Sequence, residues 1–111
     1  MKISDVYREL SSAEFARSQL EFSEIWLGRS KRYYSHLLAE GREPGIGTLI
    51  ALEGRLRRQA GIAVQPEDRE LLRRLGQRLR LHIETRGLIR AHRTRAGIST
   101  AESESLDRPR T

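Results

Sequence analysis

Between Ser18 and Leu56 the chain is punctuated so densely by helix start and stop signals that only short helices joined by tight turns fit. The segment reads S-Q-L-E-F-S-E-I-W-L-G-R-S-K-R-Y-Y-S-H-L-L-A-E-G, then R-E-P-G-I-G-T-L-I-A-L-E-G-R-L. Ser18 and Glu21 form S-x-x-E, a capping-box signature that starts a helix at Gln19. Phe22, Ile25 and Trp26 are its apolar positions, and Gly28 can turn left-handed and stop it. Ser30 is a good N-cap for the next helix, predicted over 30–40, whose inward face is Tyr34, Leu37 and Leu38 and whose stop is Gly41. Arg42-Glu43-Pro44-Gly45 is a turn. Helical periodicity resumes at Ile46, Leu49, Ile50, Leu52 and Leu56, and Gly61 closes that element.

Upstream, Ile3, Val6, Tyr7 and Leu10 share one face of a helix from Ser4 to about Ala13. Downstream, Pro66 followed by Glu67 and Asp68 is a strong helix N-terminus: Pro has no orphan donor to waste, and the acids complement the dipole. Leu72, Leu75, Leu79 and Ile83 form an apolar stripe on this helix, which a second copy of the chain could cover, making a homodimer. Folding back onto the preceding helices, or lying along a polyanion, are the other uses of the same helix. From Arg69 to Arg95 nine arginines stand against Glu70 and Glu84. Gly87 is a natural place for a kink. From Gly97 the chain is small, polar and aperiodic, which reads as a disordered tail. The expected organisation is a helical domain over 1–61, a basic amphipathic helix over 62–96 and a tail over 97–111.

The chain has 111 residues, enough for one modest core. The formal net charge of +6 favours an anionic partner, with nucleic acid first. All but Lys2 and Lys31 of the 21 basic residues are Arg, whose planar fork suits phosphates and guanine edges. No cysteine is present, so disulfides, thiolate nucleophiles and cysteine zinc sites are excluded. No apolar run approaches the ~20 residues needed to span a bilayer, and Met1-Lys2-Ile3-Ser4-Asp5 has no secretory character. A cytoplasmic protein, nucleoid-associated when bound to DNA, is expected. His82 and His92 are not at ligand spacing, and no catalytic constellation is visible, so neither a metal, a cofactor, a small-molecule ligand nor an enzyme activity is expected. The Gly-rich P-G-I-G-T lacks the ending of a phosphate loop and reads as a turn leading into a helix.

These motifs resemble the lambda-repressor-like (Xre/Cro-type) helix-turn-helix family over about residues 3–60. Ser18-Gln19 corresponds to the family's opening of the scaffold helix, and Phe22-Ser23 sits where Leu-Ala is usual. Gly28 and Ser30 match the turn and cap, and Tyr34-Ser35 matches Ile-Ser. Pro44, Ile46, Thr48, Leu49, Leu52 and Leu56 match the supporting helix. The chain departs in carrying one residue more between Phe22-Ser23 and Gly28, which would alter the tight turn, and in its paired Tyr33 and Tyr34. The F-S-x-x-W-L-G-R-S-x-x-Y-Y-S core is compatible with a small bacterial subfamily.

The resemblance implies an all-α fold: a compact helix-turn-helix domain of about four helices, then the long basic helix and the tail. It implies a transcriptional regulator that binds double-stranded DNA sequence-specifically, with the helix at 30–40 in the major groove. Lys31, Arg32 and His36 would read bases. Gln19, Arg29, Tyr33 and Arg42 would set register on the backbone, with Ser30 and Ser35 on the same element. Two further readings stay open. The scaffold could serve as a protein-interaction adaptor or antiactivator, or the arginine-rich helix could bind DNA without sequence preference. Trp26, Phe22 and Tyr34 could stack on single strands, but their helical spacing assigns them to the core.

Overall fold

A computed structural model describes the backbone of residues 1–97 and the side chains of residues 1–87. The fold is all-α. The elements are α1 (Ile3–Ser12), α2 (Gln19–Glu21), a π turn (Phe22–Trp26) continuing α2, α3 (Tyr33–Glu40), α4 (Ile46–Ile62) and α5 (Pro66–Gly97). The expected tail lies, apart from Gly97, outside the described residues.

Each of α1, α2 and α3 begins where a side chain takes up an orphan amide. The Lys2 N–H donates to Asp5 Oδ2 at 2.9 Å and the Ile3 N–H to Glu43 Oε1 at 2.8 Å, so α1 is tied both to itself and to the α3–α4 turn. The first of these bonds holds the Asp5 carboxyl below its ordinary range. Ser18 Oγ accepts from the Glu21 N–H at 3.1 Å, as its spacing predicts. Glu21 reaches back one residue further than a reciprocal box requires, to the Arg17 N–H at 2.7 Å.

The core joins α1, the π turn, α3, α4 and α5. Ile3, Val6 and Leu10 of α1 meet Phe22, Trp26 and Leu27, Tyr34 of α3, Leu49, Leu52 and Leu56 of α4, and Leu72, Leu75 and Leu79 of α5. Tyr7, Phe22 and Tyr34 form an aromatic triangle with ring centroids 5.1–5.2 Å apart, drawing α1, the π turn and α3 together. Burial pushes the Tyr34 phenol pKa up, with Tyr7 adding to the effect. Trp26 packs edge-on against Phe15 and donates its Nε1–H to the Phe15 carbonyl at 3.0 Å, so its polar edge is satisfied. The aromatics are core residues, as their spacing predicts. Three apolar positions are not: Ile25 is 59% exposed, Ile50 54% and Leu38 46%.

The homodimer expectation for α5 needs correction. Leu72 and Leu75 are 0% exposed and Leu79 is 1% exposed, and Ile83 packs against the same cluster. α5 lies back on α4, so the stripe is covered within one chain rather than by a second copy. The basic helix is therefore part of the core rather than a separate unit after residue 61. Polar clasps reinforce this packing. Glu53, 7% exposed, pairs with Arg80 at 2.6 Å and with Arg57 at 3.4 Å. Arg78 reaches Glu9 of α1 at 3.1 Å, and Arg86 donates to the Pro44 carbonyl at 2.9 Å. Arg69 caps the end of the α4–α5 link through the carbonyls of Ala63 and Val64. α5 runs through Gly87 without a break, and α4 passes Gly61 to end at Ile62.

Two glycines make opposite predictions. Gly28 has φ +66°, and a Cβ there would lie 2.6 Å from the Arg55 guanidinium. Gly28→Ala should therefore lose about 1–2 kcal/mol from the left-handed backbone alone. Gly76 is helical and buried, and a Cβ there would meet Leu56 Cβ at 3.7 Å, an ordinary contact. Gly76→Ala should gain about 0.5–1 kcal/mol. Urea denaturation of the two variants checks both signs.

Candidate functional site

The turn between α2 and α3 is built around a π turn. The Leu27 N–H bonds to the Phe22 carbonyl, five residues back, at 3.0 Å, and the Arg29 N–H reaches the Ser23 carbonyl, six back, at 2.9 Å. The first spans one residue more than an α-helical bond and the second two more. The wide turn accommodates a residue without moving Phe22 or Trp26 off the core. Gly28, left-handed, then reverses the chain beneath the Arg55 guanidinium, which donates to the Trp26 carbonyl at 3.4 Å.

The start of α3 differs from the sequence reading. The helix opens at Tyr33, not Ser30, and is eight residues long. The Ser30 carbonyl accepts from the Tyr33 N–H at 3.1 Å, so Ser30, Lys31 and Arg32 form a turn leading into the helix. Ser30 is exposed and its side chain caps nothing. The capping side chain comes from the preceding element: Ser23, 0% exposed, accepts from the Tyr34 N–H through Oγ at 2.9 Å. A remote cap of this kind has no signature in sequence spacing. Ser23 is the residue the sequence reading missed, and its only visible signal was a hydroxyl where a small apolar residue was expected.

The sequence-predicted site residues divide into three groups. Lys31, Arg32 and His36 are exposed at the amino-terminal end of α3, and none has a carboxylate partner among the described residues. Arg29 stacks over the Tyr33 ring at 4.7 Å from its centroid, so these two form a single surface unit beside the turn. Gln19 is exposed at the start of α2. The others are engaged locally. Ser35 donates its hydroxyl to the Arg32 carbonyl at 3.0 Å, steadying the first turn of α3. Arg42 pairs with Glu40 at 2.8 Å, which neutralises it in part.

The cations of α5 are placed differently. Arg73 pairs with Glu70, Arg78 with Glu9, Arg80 with Glu53, while Arg69 and Arg86 hold backbone carbonyls. Arg74 alone of the described α5 arginines ahead of Gly87 has no such partner. Arg29, Lys31 and Arg32, none paired with a carboxylate among the described residues, thus stand together at the α2–α3 turn and the start of α3, while Lys2, Arg17, Arg58 and Arg74 are exposed and likewise without a carboxylate elsewhere. Among the described residues no cluster of three or more metal-ligating side chains is present, and no helix is long and apolar enough to cross a membrane.

Residues 3–98 match a family of unknown function, DUF6626. The chain belongs to the DUF6626 family. The family match covers α1 to α5, so the α5 clasp on α4 lies within it as much as the α2–α3 turn. No curated protein and no solved structure matches the chain.

The Ser23 cap has a direct test. Ser23→Ala would leave the Tyr34 N–H buried without an acceptor, at a cost of about 1–3 kcal/mol. Hydrogen exchange at Tyr34 should accelerate with global stability lowered by that amount. An unchanged exchange rate would show that another acceptor takes over.

Proposed function

We propose that this protein binds double-stranded DNA and regulates transcription, with α3 and the turn before it as the reading element. The observation that carries the reading is the placement of charge. Lys31, Arg32 and His36 stand exposed and without carboxylate partners at the leading end of a short helix, flanked by Arg29. α3 is held from behind by the buried Tyr34 and Leu37, so its outer face is free to approach a groove. A helix presented by its amino-terminal end, with side chains from the preceding turn, is a geometry by which such domains reach base edges.

In this reading Arg32 and Lys31 contact guanine edges or phosphates, and His36 reaches a base edge one turn further on. Gln19, Arg29 and Tyr33 contact the backbone. Arg42 contributes less than its position promises, because Glu40 already occupies it. Non-specific binding through α5 has weaker support, since most of its described arginines clasp the protein itself. With the α5 stripe buried, a homodimer has no surface to stand on there, and the reading does not require a palindromic site. The protein-partner reading draws on one observation: Leu20, Ile25, Leu38 and Ile50 are exposed apolar residues on α2, the π turn, α3 and α4.

Selection of bound duplexes from a random library at near-physiological salt tests the proposal. One enriched motif is expected for the natural chain. The double variant Lys31→Ala/Arg32→Ala should keep its circular dichroism and lose the enrichment, with each lost base contact reducing discrimination by about 1–3 kcal/mol. Equal enrichment by variant and natural chain would refute the assigned reading residues. No duplex recovered at all would make a protein partner the leading reading.

A further inference from the structure

Beside the α2–α3 turn an open cleft of about 470 Å³ runs to the start of α4. Arg29 lines it together with Gly45, Gly47 and Thr48 at the start of α4 and Arg55 further along that helix. We propose that this cleft is a binding site for a phosphate-class oxyanion. The site stands on its own geometry and does not depend on the duplex reading.

Four observations converge. First, the lining contains two guanidinium groups and no carboxylate. Neither Arg29 nor Arg55 has an acidic partner among the described residues. Among the described residues the one acceptor Arg55 meets is the Trp26 carbonyl, at 3.4 Å. Second, α4 is a 17-residue helix whose N-cap is Gly45, so no side chain caps its amides. The first amide bonded within the helix is that of Leu49, to the Gly45 carbonyl at 3.1 Å. The N–H groups of Ile46, Gly47 and Thr48 are left without partners among the described residues, at the positive end of the dipole.

Third, the approach to those amides is bare. A Cβ at Gly45 or Gly47 would meet nothing within 4 Å, so an oxygen can come close to the backbone there. Fourth, Thr48 is 9% exposed, lines the cleft, and its hydroxyl has no partner among the described residues. A buried hydroxyl without a partner costs free energy, and this one can donate to an acceptor that enters the cleft. Amide donors, a hydroxyl able to donate and two planar cations make the lining rich in donors. A tetrahedral oxyanion, which offers acceptors in several directions, satisfies it. The source can be a free phosphate or a phosphodiester of nucleic acid, since both present the same oxygens.

Titration of the full chain with inorganic phosphate, followed by 1H–15N correlation NMR, tests the site. The Gly47 and Thr48 amides should shift saturably, with a dissociation constant on the order of 1 mM. Thr48→Val keeps the shape and removes the hydroxyl, and should weaken binding roughly tenfold. Arg29→Gln, an exposed position whose change spares the core, should weaken it too, while Arg58→Gln outside the cleft should not. The absence of a saturable shift, or a shift that both Thr48→Val and Arg29→Gln leave unchanged, would overturn the proposal. A second arm identifies the source. Displacement of phosphate from these amides by duplex DNA, with Arg29→Gln lowering the salt slope by about one, would assign the site to backbone phosphate. Phosphate binding with no effect of duplex would establish a free-phosphate site and leave the duplex reading to fail separately. Sequence-selective duplex binding without any phosphate shift would overturn this site alone.

Discussion

The hydrogen bond from the Tyr34 N–H to the buried Ser23 Oγ decides where α3 begins, and much of the surface follows from it. The acceptor lies on the element before the turn, so α3 cannot start until the chain has come back across Ser23. Residues 30–32 are thereby left in the turn, and Lys31 and Arg32 project from a loop rather than from a helix face. The bond also locks α3 to the π turn at 2.9 Å inside the aromatic triangle of Tyr7, Phe22 and Tyr34. Burial makes it directional and costly to lose, and the aromatic packing around it makes it hard to replace.

A second constraint is the way charge is distributed between structure and surface. A chain with +6 formal charge must spend some of its cations to remain compact. Here the spending is concentrated in α5, where Arg80 offsets the buried Glu53 and Arg78 and Arg86 reach across to α1 and the α3–α4 turn. Exposed pairs such as Arg73–Glu70 add little stability, but they do lower the local positive field. Around the α2–α3 turn the cations are left without carboxylates among the described residues: Arg29 and Arg55 line the cleft, and Lys31 and Arg32 are exposed in the turn that leads into α3.

Much of the helical plan was legible in local chemistry. The Ser18 cap, the left-handed stops at Gly28 and Gly41 and the Pro66 start all act within a few residues of themselves, so spacing alone reveals them. The inward faces of α1 and the aromatic core were legible for the same reason. The candidate site was legible in residue identity, but less so in geometry. Ser30 has the right chemistry for a cap and is not one, because Ser23 wins the amide from a buried position. Arg42 has the right charge and is compromised by Glu40, a neighbour whose reach depends on the turn between them.

The sequence by itself determined the helix boundaries set by local caps, the apolar faces with helical period, and the excess of arginine over acid. Those are properties of segments, settled by backbone conformational preference and side-chain solvation. Only the tertiary structure decided that the Leu72, Leu75, Leu79 stripe closes on its own chain. A stripe records that apolar surface must be covered, but its periodicity does not say by what. Only the tertiary structure brought Arg29 and Arg55, 26 positions apart in the chain, to one cleft with the open end of α4. That juxtaposition rests on the π turn and the buried Ser23 bond, which join residues that no local pattern connects.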